Sequence, residues 1–159
     1  MEELRLAGKD ELPQILKLYR SVVGSEGCTW DAFYPNEDTL SEDFEAGLLF
    51  VLRKGEQLLG AGSIVPENEL DDLEHWAFHK KARELARIVI APEHQGRGYG
   101  KLLVQSLCNH LAQEGCKAVH LLVAQENKAA QRMYQTVGFQ NKGTCHRYDI
   151  DFFAYEKEL

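Results

Sequence analysis

The residues best suited to chemistry form a glycine-rich loop that follows an apolar, β-branched run and precedes an amphipathic segment. Three alternating glycines lie in this loop, together with two cationic side chains, Arg97 and Lys101. Glycine has no Cβ and adopts positive φ easily, so such a loop can present backbone N–H groups to an anion at a helix N-terminus. We therefore predict that a pyrophosphate group is held by the loop residues Gln95, Gly96, Arg97, Gly98, Tyr99, Gly100 and Lys101.

Two common phosphate-binding motifs do not fit the spacing of this loop. A dinucleotide-binding fingerprint that starts at Gly96 requires glycine at the position of Lys101. A P-loop that ends in Gly100 and Lys101 requires glycine at Gln95 and a hydroxyl residue at Leu102. Both motifs are excluded. Taken alone, the loop is also compatible with a solvated turn between a strand and a helix.

A second group of residues follows the next apolar run, in the pattern N-x-x-A-x-x-x-Y-x-x-x-G-F. It contains Asn127, Ala130, Tyr134, Gly138 and Phe139. The first four share one face of a helix. Asn127 could bind a polar ligand or cap the helix, and Tyr134 carries a phenol that can donate a proton. The structural alternative is an N-cap, a core tyrosine and a C-cap followed by a core aromatic residue.

Together, the glycine loop and the Asn127–Phe139 segment resemble the motifs of the GNAT-type, acetyl-CoA-dependent N-acetyltransferase superfamily. The resemblance spans residues 83–140, and Asn127 lies 27 residues after Gly100, a spacing similar to that of the family. It implies an α/β (α+β) fold with a mixed, mostly antiparallel central sheet, a parallel βαβ core and helices on both faces. It also implies a single N-acetyltransferase domain over residues 1–159.

The resemblance implies direct transfer of an acetyl group from acetyl-CoA, as co-substrate, to a primary amine. The glycine loop would hold the CoA pyrophosphate, with Asn127 also on the cofactor side. The strand residues Ile88, Val89 and Ile90 would align the pantetheine arm, and a backbone N–H around Val89 or Ile90 would stabilise the oxyanion. Tyr134 matches the family's general acid for the leaving thiolate.

Glu84 is the candidate general base, because family members often use a carboxylate there through a water molecule. A solvated strand-end glutamate is the competing interpretation, and Asp71, Asp72 and Glu74 are further candidates. Burial would have to raise the pKa of such a carboxylate toward neutrality. The chain has Gln95 where arginine is commonest in the family, and residues 66–84 match no family signature.

The amine acceptor is the least constrained part of the sequence. We expect residues 19–45 and 66–84 to form its site, with aromatic and acidic side chains that could equally be core or solvated. Those residues are Trp30, Phe33, Tyr34, Trp76, Phe78, Glu37, Asp38, Asp71, Asp72 and Glu74. A small-molecule amine is the leading acceptor. The alternatives are a protein or peptide N-acetyltransferase and a catalytically silent acyl-CoA-binding module.

The elements that must position these residues follow from the apolar patterning. Helices are expected at 12–23 with Asp10 as cap, near 39–46, at 101–113 and at 128–137. Strands are expected at 4–6, 48–53, 57–65, 85–91, 118–123 and 148–155. Strand 85–91, helix 101–113 and strand 118–123 predict a parallel βαβ unit. Residues 66–84 fit either a strand and loop or a short helix.

Composition limits the remaining functional classes. The chain has 159 residues, 44% hydrophobic and 27% charged, and a net charge of −7 that argues against nucleic-acid binding. The longest apolar run, 48–52, is far too short to span a membrane, and no signal-peptide pattern occurs, so we expect a cytoplasmic protein without a membrane partner. His75 and His79 lack a third ligand, so no metal is expected. Homodimers are common in the resembled family, but no residue here demonstrates one.

Overall fold

The computed structural model describes residues 1–65, 70 and 76–159 of the chain. Part of the segment 66–84, which the sequence leaves open, therefore falls outside the described residues, as do the candidate carboxylates Asp71, Asp72 and Glu74. The described part of that segment includes the start of a strand at Ala82.

A mixed sheet of seven strands is the centre of the fold, with the strand order β1-β2-β3-β4-β5-β7-β6. Only β4 and β5 are parallel among the neighbouring strands of this sheet as described. The strands are β1 Glu2–Leu6, β2 Leu49–Lys54, β3 Gln57–Val65, β4 Ala82–Ile90, β5 Ala118–Ala124, β6 Gln140–Arg147 and β7 Ile150–Glu158. The helices are α1 Leu12–Ser21, α2 Glu37–Glu45, α3 Tyr99–Gln113 and α4 Lys128–Val137.

Helices cover both faces of the sheet, because successive strand side chains point to opposite faces. On β2, Phe50 and Leu52 pack in the cluster that contains α3 and α4 residues such as Leu107 and Tyr134. Between them, Val51 packs in the cluster of Ile15, Tyr19 and other residues of α1 and α2. This arrangement and the parallel β4–α3–β5 unit confirm the predicted fold class.

Strands β4 and β5 diverge after a short region of pairing. They pair at Ala82 with Ala118, Arg83 with Val119, and Glu84 with His120. Beyond this point β4 continues along β3 to Ile90, whereas β5 continues along β7 to Ala124. A gap therefore opens in the sheet along the second half of β4.

A β-bulge lies in β4 beside this gap. Ala86 pairs with Ser63 and Val89 pairs with Ala61, so two residues, Arg87 and Ile88, stand opposite Gly62. Arg87 adopts a positive φ of 54°. A Cβ at Gly62 would lie 2.7 Å from Ile88 Cδ1, so a larger residue there would have to displace the Ile88 side chain at the bulge.

Three local predictions differ from the structure. The final strand, expected at 148–155, begins at Ile150 and runs to Glu158, and its hairpin partner β6 was not expected; the turn residues Tyr148 and Asp149 have φ values of 55° and 60°. Asp10 does not cap α1; it lies in a 3-10 turn, Lys9–Glu11, that precedes the helix. Helix α2 begins earlier than expected, since Asn36 accepts a hydrogen bond from the Thr39 N–H at 3.0 Å.

Candidate active site

A cavity of about 590 Å³ occupies the gap between β4 and β5. The glycine loop, the second half of β4 and the start of α4 all line it, so the fold brings the two sequence motifs together. Its lining includes the predicted residues Ile88, Val89, Ile90, Gln95, Gly96, Gly98, Tyr99, Gly100, Lys101, Asn127 and Tyr134. Two predicted residues, Arg97 and Glu84, are not in the lining.

The glycine loop exposes its backbone at two positions that require positive φ. Gly96 has a φ of 77° and Gly98, the N-cap of α3, has a φ of 85°. No heavy atom of a described residue lies within 4 Å of a Cβ built on either glycine. Gly100 differs, because it lies in the first turn of α3 and its Cβ would meet Met133 Cε at 3.6 Å. The first N–H groups of α3 have no partner within the helix and are available to an anion.

The backbone of Ile90 faces the cavity, as alternation along β4 requires. The Ala91 N–H donates to the Leu59 carbonyl of β3 at 2.8 Å. Because the backbone polar groups of successive strand residues point to alternate edges, those of Ile90 point away from β3. The side chain of Gln95 confirms this direction, because its Nε2 donates to the Ile90 carbonyl at 3.1 Å. Of the two predicted oxyanion donors, the Ile90 N–H is therefore directed at the cavity and the Val89 N–H at β3.

Asn127 caps α4, which is one of the two roles left open by the sequence. Its Oδ1 accepts a hydrogen bond from the Ala130 N–H at 3.1 Å. The residue also lines the cavity, so its backbone and its amide NH₂ group lie at the boundary between the helix and the cavity.

Tyr134 is held by aromatic contacts on the cavity side of α4. Its ring meets Phe139 and Tyr155 edge to face, with centroid distances of 5.6 Å and 6.4 Å. The residue is 8% exposed, and this burial raises the pKa of its phenol above the ordinary value. Because a phenolate is poorly stabilised in a dry environment, the hydroxyl keeps its proton at neutral pH.

Glu84 lies on β4 at the last position that still pairs with β5, opposite His120. It is half-buried and shares a sheet face with His120, whose Nε2 lies 2.7 Å from Glu156 Oε2.

Trp76 stacks on the His120 ring at 3.9 Å and donates its Nε1–H to the Leu70 carbonyl. Trp76 is thus a core residue, as the structural alternative for the aromatic candidates predicts.

The other acceptor candidates separate into two groups. Trp30 lines the cavity and packs edge to face on Tyr19 with a centroid distance of 5.5 Å. Phe33 is 81% exposed, and neither Phe33 nor Tyr34 lines the cavity. Glu37 and Asp38 are exposed in the first turn of α2, where negative charge favours the helix.

An ion pair beside the cavity has no signature in the sequence. Arg87 Nε and Nη2 donate to Asp43 Oδ2 and Oδ1 at 2.7 and 2.8 Å, although the two residues are 44 positions apart. Ser63 Oγ donates to Asp43 Oδ2 at 2.7 Å, and Arg87 Nη1 donates to the Tyr34 hydroxyl at 3.1 Å. Sequence reasoning treats these side chains separately, because only the antiparallel packing of β3 and β4 under α2 joins them.

Among the residues that the structure describes, no cluster of three or more His, Cys, Asp or Glu side chains is arranged to hold a metal ion. Within the same ranges, no helix combines the length and the hydropathy needed to cross a membrane.

Comparison with known proteins gives consistent results. The model of the Acetyltransferase (GNAT) family matches residues 11–139. A mycothiol acetyltransferase of Renibacterium salmoninarum is 33% identical over 100 residues, covering 57% of this chain and 28% of the relative. A spermine/spermidine N(1)-acetyltransferase of Bacillus subtilis is 40% identical over 69 residues, covering 43% of this chain and 42% of the relative. The chain thus spans less than half the length of these curated relatives.

The fold is also shared with solved structures. A Salmonella typhimurium protein solved with its cofactor acetyl-CoA superposes with a TM-score of 0.78 and 18% sequence identity. The superposition covers 100% of this chain and 94% of that protein. At this level of identity the likeness concerns the fold alone.

Proposed function

The chain belongs to the Acetyltransferase (GNAT) family, and from this premise we propose that it transfers the acetyl group of acetyl-CoA to the primary amine of a small molecule. The observation that carries the proposal is that the glycine loop, the open edge of β4 and Tyr134 line one cavity. We further propose that residues 1–159 act as one N-acetyltransferase domain, because both sequence motifs and the two cores meet at this cavity.

The cofactor side of the proposed reaction uses backbone groups. N–H groups of Gly96, Gly98 and the first turn of α3 bind the CoA pyrophosphate, each favourable helix-end interaction contributing about 0.3–1 kcal/mol. Lys101 and Arg97, both exposed, add positive charge around the loop. The edge of β4 from Ile88 onward is no longer paired with β5, so it offers amide groups to the pantetheine arm and leaves the Ile90 N–H for the acetyl carbonyl.

The transfer step requires a donor at the carbonyl oxygen and a proton for the sulfur. The Ile90 N–H donates to the carbonyl oxygen as the amine nitrogen forms its bond to the acetyl carbon. Tyr134, protonated at neutral pH, donates its hydroxyl hydrogen toward the sulfur as the C–S bond breaks. The step balances when the proton that nitrogen loses on forming the amide replaces the one that Tyr134 gives to the sulfur, so the buried phenol is not left ionised.

Glu84 is proposed as the group that accepts the proton of the substrate ammonium. Its carboxylate stands where β4 and β5 begin to diverge, outside the lining of the cavity. A water molecule must therefore carry the proton from the amine to Glu84. Glu84→Gln tests this role, because it removes the basic oxygen while it keeps the size of the side chain.

A small acceptor is favoured by the connection between α1 and α2. Residues 25–30 of this connection line the cavity together with the glycine loop, so they limit the space that is left for an acceptor. Glu26 is among them, and the chain carries a net charge of −7, which suits a cationic amine. One relative is named a spermine/spermidine N(1)-acetyltransferase and the other a mycothiol acetyltransferase, so spermine and spermidine are the first substrates to assay.

The deciding experiment measures thiol release from acetyl-CoA over a panel of polyamines, amino acids, amino sugars and peptides. We expect turnover with at least one small amine, together with loss of turnover in Tyr134→Phe. Turnover restricted to peptide amines would replace the small-molecule proposal by peptide acetylation. Tight acetyl-CoA binding by calorimetry without turnover on any amine would indicate a silent acyl-CoA-binding module.

A further inference from the structure

Arg87 occupies a backbone conformation that L-residues seldom adopt. Its φ of 54° lies in the left-handed region, at the bulge position that glycine usually fills. A side chain in this conformation is strained, and it persists only where the surroundings fix it.

Asp43 supplies the fixing contacts. Its carboxylate receives two hydrogen bonds from the Arg87 guanidinium at 2.7 and 2.8 Å and one from Ser63 Oγ at 2.7 Å. Asp43 is 6% exposed, so this bidentate pair is screened little by solvent. Ser63 belongs to β3 and pairs with Ala86, directly before the bulge. The carboxylate therefore joins both strands at the bulge to helix α2.

The bulge decides which backbone N–H groups face the cavity. The Ile64 N–H donates to the carbonyl of Leu48, the residue directly before β2, so the N–H groups of odd-numbered β3 residues point toward β4, including that of Ser63 opposite Ala86. Ala91 also points toward β3, through its bond to Leu59. With strict alternation along β4, the N–H groups of Ala86 and Ala91 would point to opposite edges of the strand. The extra residue at the bulge shifts the alternation by one position, so both N–H groups point toward β3. Without it, the Ile90 N–H would face β3.

We propose that Asp43 is a positioning residue that acts through Arg87 to hold the bulge, and so keeps the Ile90 N–H aimed at the acetyl carbonyl. This inference rests on the proposed acetyl transfer. It assigns Asp43, on a helix outside the cofactor site, to the rate of the chemical step and not to the binding of acetyl-CoA.

The main test compares Asp43→Asn with a matched control. Removal of one oxyanion donor typically lowers kcat by roughly 10²–10³-fold. Because Asp43→Asn misdirects the donor without removing it, we expect kcat to fall about ten- to a hundredfold. The KM for acetyl-CoA should stay within about twofold, since the loop that holds the pyrophosphate is unchanged. Glu11→Gln is the control: Glu11 pairs with Arg53 at 2.6 Å, both side chains are 13% exposed, and neither residue lines the cavity. Its kcat should equal that of the parent.

Two further variants separate positioning from general damage. Arg87→Gly in the Asp43→Asn background lets glycine adopt the left-handed conformation without strain, so it should restore most of the lost kcat. Ser63→Ala removes one hydrogen bond to Asp43 without stranding a charge and should give a smaller loss in the same direction. The inference is overturned if Asp43→Asn matches Glu11→Gln in kcat, or if the double variant remains as slow as Asp43→Asn.

An amide resonance gives a readout that does not need turnover. In the protein without ligand, Asp43→Asn should shift the ¹⁵N–¹H resonances of Ile88 and Ile90, and Glu11→Gln should leave them in place. If the parent transfers no acetyl group, the proposed function fails, and these resonances still decide whether Asp43 holds the bulge. Unshifted resonances in Asp43→Asn would refute the positioning role.

Discussion

The backbone of Gly27 lies directly against Asn127: a Cβ on Gly27 would be 2.8 Å from the Asn127 Cα and 3.1 Å from its Cβ. Gly27 belongs to the α1–α2 connection, and Asn127 begins α4. The contact therefore joins the segment expected to face the acceptor to the motif on the cofactor side. It closes the cavity between the two, and no side chain larger than hydrogen fits at residue 27.

Gly27→Ala should open this closure. The added methyl group collides with the α4 backbone, so residues 25–30 must move away and the KM for the amine should rise about tenfold or more, in line with a loss of roughly 1.4 kcal/mol. Steady-state kinetics in both substrates measure this. The matched control is Gly24→Ala, because Gly24 has a similar φ of 88° but nothing within 4 Å of its Cβ position. Equal KM values for the two variants would contradict the closure.

Tyr134→Phe should lower kcat by about 10²-fold or more, the usual range for loss of a positioned proton donor. The dissociation constant for acetyl-CoA should change little, because the ring keeps its edge contacts with Phe139 and Tyr155. Single-turnover kinetics and calorimetry separate the two quantities. An unchanged kcat would remove Tyr134 from the chemistry.

The protein should lose stability in alkaline solution because two phenols are buried. Burial raises the pKa of both Tyr134 and Tyr19 in the folded state, whereas the pKa of tyrosine in the unfolded chain is about 10. Above that pH the unfolded chain releases protons that the folded chain retains, so the free energy of unfolding falls as pH rises, by up to about 1.4 kcal/mol per pH unit for each phenol.

Urea titrations between pH 9 and pH 11.5 test this linkage. Tyr134→Phe and Tyr19→Phe should each flatten the decline relative to their own values at pH 8. Tyr148→Phe is the control, because Tyr148 is 78% exposed in the β6–β7 turn. A decline of the same steepness in all four proteins would show that neither buried phenol is responsible.

Gly98→Glu should abolish binding of acetyl-CoA and leave the fold intact. The carboxylate would stand at the N-terminus of α3, where it stabilises the helix but repels the phosphate oxygens. We expect the dissociation constant to rise more than about a hundredfold, from charge repulsion and strain at a φ of 85°. Gly115→Glu at the other end of the same helix, with a φ of 90° and open space, should bind normally. Retained binding in Gly98→Glu would refute the pyrophosphate assignment.

Local patterns predicted the parts of the fold and site that depend on neighbouring residues. The glycine loop, the cap at Asn127 and the βαβ unit lie within short stretches of chain, so their residue types and spacing are visible in the sequence. Gly100 was grouped with Gly96 and Gly98 on composition, yet helix α3 starts at Tyr99 and makes Gly100 helical. The extent of a helix depends on packing that the loop residues alone do not reveal.

The features that sequence reasoning missed have long-range or weak local signals. Strand β6 is a sheet edge whose mostly polar residues are exposed or half-buried, and its turn at Tyr148 and Asp149 contains no glycine. The pair of Asp43 and Arg87 requires two elements that are 44 positions apart to pack together. The sequence gives no sign of the bulge at Arg87 either, because arginine is an uncommon residue for a left-handed conformation.

The divergence of β4 and β5 leaves the two halves of the sheet joined by a short ladder and by the core beneath it. In the part of the chain that the structure describes, the ladder between the four-stranded half of the sheet and the three-stranded half consists of three residue pairs. This seam is where partial opening of the native state should cost least, and amide hydrogens along it should exchange before those of either half. A ligand whose amides pair along β4 would act as a missing strand. At about 100 times its dissociation constant it would add roughly 2.7 kcal/mol to the stability and suppress that opening.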